Sequence, residues 1–167
     1  AIESASRDID QATERQFFPT DTHRFYTPRD SLVCETDDIA ALTSIRTSTG
    51  ADGNYDETWT ASDYQLEPLN GIAGGMSVPF DAIRAVGDYS FPMSGQEVTV
   101  RVEATFGFAT APTAIRQAAV LLSARIFKRN DSPGGVMGFG DIGVVRVSRF
   151  DPDIERLINP YRRIRFA

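Results

Sequence analysis

Residues 98–108 alternate apolar and polar side chains, and a few residues later the apolar period changes from two to that of a helix. Val98, Val100, Val102, Ala104, Phe106 and Phe108 are set against Thr99, Arg101, Glu103 and Thr105. Period two over this length means a strand with one buried and one wet face. Pro112 then suits a first helical position. Residues 113–129 carry Ile115, Ala119, Leu122 and Ile126 on one stripe and Val120, Ala124 and Phe127 on another. Only Arg116, Gln117, Ser123 and Arg125 interrupt them, with Lys128 and Arg129 at the C-terminal end, where the helix dipole favours cations. A helix apolar around most of its circumference must be covered on more than one side. A neighbouring subunit supplies that cover economically; burial as a central core helix supplies it equally.

The rest of the chain fits around this strand and helix. Residues 2–15 read as a helix, with Ile2, Ala5, Ile9 and Ala12 on a narrow stripe, stopped at Phe17-Phe18-Pro19. Between Arg24 and Phe108 the pattern is strands and turns. Asp52-Gly53-Asn54 signals a hairpin joining residues 44–47 to 57–60. Residues 132–143 form a glycine-rich segment and residues 144–148 a short strand. Asp151 and Pro152 then cap and start a last helical stretch that Asn159-Pro160 ends. The fold class expected is α+β: a helical body with one long central helix, carrying an inserted antiparallel β-rich lobe. Its parts are residues 1–18 and 109–167 for the helical body with a C-terminal docking arm, and residues 19–108 for the β-rich insertion.

Charge divides the chain. Residues 1–124 carry 8 Arg and 18 Asp and Glu, a net of −10, and residues 125–167 carry 9 Lys and Arg against 5 acids, a net of +4. An acidic body argues against general nucleic-acid binding, and a basic tail suggests an electrostatic docking segment. Arg156, Arg162, Arg163 and Arg165 flank Leu157, Ile158, Tyr161, Ile164 and Phe166, a mixture suited to a protein interface. The N-terminal residues lack the apolar core of a signal peptide, and no apolar run is long enough to cross a bilayer.

The motifs of chemistry are weak. One cysteine, Cys34, leaves no internal disulfide and no cysteine-built zinc site. Gly138 to Gly143 spell G-x-G-x-x-G, but a helix precedes and a strand-like run follows, the reverse of a dinucleotide fingerprint. Gly134, Gly135, Gly138, Gly140 and Gly143 are expected to form a flexible loop instead. Asp52, Asn54, Asp56 and Asp63 hold calcium-loop spacing, yet the sixth position is Glu57 rather than glycine, and a hairpin turn explains them better. His23 is the one histidine, without a partner set for nucleophilic catalysis. No catalytic, metal or cofactor residue is assigned.

Four segments together resemble a known family: ASRDIDQATERQF, TFGFATAPTAIRQAAVLLSARIFKR, SPGGVMGFGDIGVVRVS and DPDIERLINPYRR. In this order they are similar to the head-to-tail adaptor, or connector, proteins of long-tailed bacteriophages, most closely those of phages of actinobacteria. The resemblance covers about residues 4–18 and 104–163. It implies a structural virion protein and not an enzyme, without cofactor or metal. It implies a homo-oligomeric ring, typically of twelve copies, at the capsid vertex between the portal protein and the next connector or tail protein. Genomic DNA passes through the ring without sequence-specific binding, and no membrane is involved. The protein would be found in the virion neck, and in the host cytoplasm during assembly. On this reading Ile115, Ala119, Val120, Leu122, Ile126 and Phe127 meet the neighbouring subunit. Arg156, Tyr161, Arg162, Arg163 and Arg165 dock on the portal or a neighbour. The alternative is a ligand- or carbohydrate-binding β module with helical flanks and an aromatic pocket around Trp59; a hydrolase built on paired carboxylates ranks below it.

Overall fold

The computed structural model describes residues 1–49, 53–93, 98–130 and 152–163. The chain divides into two compact units, one of Ala1–Arg15 with Ala111–Ala167 and one of Gln16–Thr110.

The second unit is built on an antiparallel sheet. Its strands are β1 (Thr20–Tyr26), β2 (Val33–Thr47), β3 (Glu57–Thr58), β4 (Tyr64–Glu67), a hairpin of β5 (Ile72–Ala73) and β6 (Met76–Ser77), then β7 (Phe80–Ala85) and β8 (Val100–Phe106). The main sheet runs β1-β8-β2-β7-β4, with β3 joined to β2. The alternation read in the sequence governs β8: Val100, Val102, Ala104 and Phe106 are buried, while Arg101, Glu103 and Thr105 point away from the core. The expected hairpin forms, with Arg46 opposite Thr58 and Thr47 opposite Glu57.

At 15 residues, β2 is far longer than the short β-type runs that the sequence shows at Leu32 to Cys34 and Leu42 to Thr47. Its register shifts between Glu35 and Ile39, between Ile39 and Ala41, and between Leu42 and Ser44. Each irregularity resets which side chain faces inward, so the period-two pattern is broken although the strand is continuous. Inside lie Cys34, Ile39, Ile45, Ile83, Val100, Val102 and Phe106, all inaccessible to solvent. Each large side chain so buried contributes on the order of 1.5–3 kcal/mol. Phe91 stacks on Trp59 at 4.6 Å, and the indole N–H donates to Thr47 Oγ1 at 3.1 Å.

The first unit consists of α1 (Ile2–Thr13), α2 (Thr113–Asn130), α3 (Pro152–Ile158) and a short 3-10 turn at Asn159–Tyr161. α2 packs against both α1 and α3. α1 buries Ala5, Ile9 and Thr13, one per turn, while Ile2 stays exposed. The Thr13 hydroxyl donates to the Ile9 carbonyl at 2.8 Å, which lets a polar residue end the buried stripe. The backbone N–H of Arg163 donates to the Thr13 carbonyl at 3.0 Å and ties the end of the described chain to the end of α1.

This architecture corrects the expected fold class. The protein is mostly antiparallel sheet with three short helices among the described residues, and no single long central helix organises a helical body. The reason is packing: α2 finds its intramolecular partners in two other short helices, whereas the largest buried cluster belongs to the sheet.

Candidate functional site

The helical unit sorts the two stripes of α2 by burial. Ile115, Ala118 and Leu122 are buried. Ala119 and Ile126 are half-buried, and Ala124 is exposed. Val120 is 68% and Phe127 62% exposed, high values for large apolar side chains. Gln117, Val120, Ala124 and Phe127 are thus all exposed at a spacing of three or four residues, which places them on one helix face. Ile115 and Leu122 are used inside the subunit, and Val120 and Phe127 are the members of the expected set left open to solvent.

Arg156 lies in the last turn of α3, where its charge suits the helix dipole, and it is exposed. Arg162 is exposed, and Tyr161 and Arg163 are half-buried. The hydrogen bond from Arg163 to Thr13 anchors this basic segment at its base, so Arg156 and Arg162 extend from a fixed backbone. Arg165 lies outside the described residues, as do Gly134, Gly135, Gly138, Gly140 and Gly143.

In the sheet unit the sequence did not reveal a polar brace across three strands. Arg24 on β1 reaches past β8 to Asp37 on β2 at 2.7 Å, with its guanidinium carbon 4.3 Å from the centre of the Phe106 ring. Tyr26 donates to the same Asp37 oxygen at 3.1 Å, and Arg24 also donates to Gln16 Oε1 at 3.2 Å. Burial pushes the Tyr26 phenol well above its usual range. Arg24 and Asp37 are 13 residues apart in sequence, and only the strand order brings them together.

The remaining chemical groups are structural in their contacts. Burial pushes the Cys34 thiol up to about 12, the value of an inert buried thiol rather than a nucleophile. Asp63, which sequence spacing put in a calcium loop, accepts from the Thr60 hydroxyl at 2.7 Å, the Thr60 N–H at 2.6 Å and the Ser62 hydroxyl at 3.1 Å. Those hydrogen bonds, led by the Thr60 hydroxyl, hold its carboxyl below the usual range. Among the described residues no group of three or more His, Cys, Asp or Glu side chains is placed to hold a metal ion. Trp59 is buried in the core, where it stacks on Phe91.

No protein-family model matches the sequence, and no curated protein matches it. Solved structures do. A chain of the neck of an empty gene transfer agent (GTA) particle, computed with C6 symmetry, superposes with a TM-score of 0.60 at 18% identity, over 99% of this chain and 76% of that one. A chain of the neck of the native GTA particle, computed with C12 symmetry, gives 0.58 at 20% identity, over 99% of this chain and 81% of that one. A chain of the virion of the native GTA particle gives 0.57 at 20% identity, over 99% and 76%. The protein has the fold of these neck and virion chains, along nearly its whole length.

Proposed function

We propose that this protein is a structural subunit of the neck of a phage-like particle, forming a ring between the portal and the next connector or tail protein. The observation that carries this reading is the fold likeness over 99% of the chain to chains from GTA necks. Those necks were computed with six- and twelve-fold symmetry, which accords with a closed ring of identical copies, twelve by resemblance to phage adaptors and most like those of actinobacterial phages. The basic end of the helical unit serves as the docking arm. The protein acts by assembly and not by catalysis, and it resides in the virion after ring formation in the host cytoplasm.

The chemistry of the surfaces suits this role. Val120 and Phe127 offer apolar area to the adjoining copy, joined at the margin by Ala119 and Ile126. Arg156, Tyr161, Arg162 and Arg163 dock on the portal or on a neighbour, with Arg165 continuing the same basic segment. The acidic body lets DNA slide past without being held. To test the reading, the purified chain is mixed with tail-less, portal-containing capsids and the vertex is imaged by cryo-electron microscopy. A ring of added density beneath the portal is expected. An unchanged vertex would rule the proposal out. A variant with Arg156, Arg162 and Arg163 changed to Glu is expected to stay folded and leave the vertex bare.

A further inference from the structure

The sheet unit carries an exposed finger that neither its core nor the polar brace explains. The connection between β4 and β7 rises into the β5–β6 hairpin, turned at Gly74 and Gly75 with φ of 57° and 78°. Positive φ at both central residues matches the twist of a two-residue hairpin and favours glycine. Along it Leu69, Ile72 and Met76 are 58%, 56% and 40% exposed. From Pro68 to Phe80 no residue is charged, in a chain that is 24% charged.

A second apolar patch lies at the far edge of the same sheet. On edge strand β1, Phe25 is 49% exposed and its ring lies 5.5 Å from that of Tyr55. The Tyr55 hydroxyl donates to the Val98 carbonyl at 3.4 Å, and the Val98 side chain is 41% exposed.

We infer that the hairpin tip of one copy seats on the Phe25–Tyr55–Val98 patch of the next copy, linking the sheet units head to tail. This rests on the ring reading above and names a contact within it. Two arguments select a second copy as the occupant. The first is charge: residues 16–110 carry 5 Arg and 14 Asp and Glu, a net of −9. Identical acidic lobes repel wherever their carboxylates meet, so an uncharged finger is the part of this surface that approaches a like lobe without that penalty. The second is placement. A head-to-tail contact requires two different patches, and the finger is carried by the β4–β7 connection while the patch includes β1, at the other end of the strand order. The groups also suit one another, since a methionine thioether packs favourably against aromatic rings.

The test uses the full chain on portal-containing capsids, with Phe25→Cys and Met76→Cys together or singly, treated with a short bis-maleimide. Cys34 is buried and stays unlabelled. The double variant is expected to give a ladder of covalent multimers, and each single variant only monomer. Particle-bound double variant that stays monomeric overturns the contact and leaves the ring reading standing. So does a Met76→Cys dimer, or an adduct of Met76→Cys with a different particle protein. Failure of the unmodified chain to bind the vertex removes the ring reading, and this contact with it. As a second measure, Ile72→Asp with Met76→Asp should weaken self-association roughly tenfold or more. Trp59 fluorescence should be unchanged, because the finger is outside the core. Unaltered association of that variant also overturns the contact.

Discussion

The sheet unit and the helical unit of this protein treat their apolar side chains differently. In the sheet unit Ile39, Ile45, Ile83 and Phe106 are inaccessible to solvent, and a polar brace from Arg24 to Asp37 spans the strands beside them. In the helical unit α1 and α3 cover one stripe of α2 and leave Val120 and Phe127 open. A long strand pairs along both its edges and so shares one core with many neighbours, whereas among the described residues two other short helices pack on α2 and cover only part of it. The sheet unit therefore holds the buried core cluster, and the helical unit leaves large apolar side chains exposed.

The strongest way to break that comparison is at the sheet core. Phe106→Ala should cost about 3–5 kcal/mol, read by denaturant unfolding with Trp59 fluorescence as the signal. A smaller loss would mean that the buried core cluster is not what stabilises the sheet unit. Ile158→Ala, at the fully buried last position of α3, should cost about 2–5 kcal/mol to the packing of the helical unit. If the two units unfold separately, hydrogen exchange in α1 and α2 should rise while the sheet amides stay protected. Uniform loss of protection would show one cooperative unit instead.

Acid should act on the sheet unit more gently. Asp63 has a folded-state pKa below its unfolded value, so its hydrogen bonds stabilise the fold above about pH 4. That contribution fades as pH falls through the lowered folded value. Asp63→Asn should flatten this acid loss in melting temperature measured between pH 5 and 2; an unchanged slope would assign the loss to other carboxylates. The smallest expected effect on stability is at the open helix face. Val120→Ser with Phe127→Ser should shift stability by no more than about 0.5 kcal/mol per site, while reducing incorporation at the capsid vertex. A large loss of stability would mean that this face is covered within the chain.

Legibility followed locality. The β8 strand, the hairpin at Arg46 and Thr58, and α2 from Thr113 could each be read from neighbouring residues, because a period or a turn is a property of contiguous sequence. β2 could not, since its register shifts scramble the alternation, and Asp37-Asp38 in its middle reads as a turn. Nor could the β5–β6 finger, whose strands are two residues each and carry no alternation to detect. The expected interface stripe on α2 was legible as apolar; its division into buried Ile115 and Leu122 and open Val120 and Phe127 was not.

By itself the sequence determined the β-strand and helix within residues 98–130 and the acidic body with a basic end. Those are matters of period, count and residue type. The tertiary structure decided that the sheet and not a helical body dominates. It also decided that Arg24 meets Asp37, and that Phe25 on edge strand β1 lies against Tyr55. Each of these depends on which strands lie side by side, and strand order is set by long-range packing that no local pattern encodes.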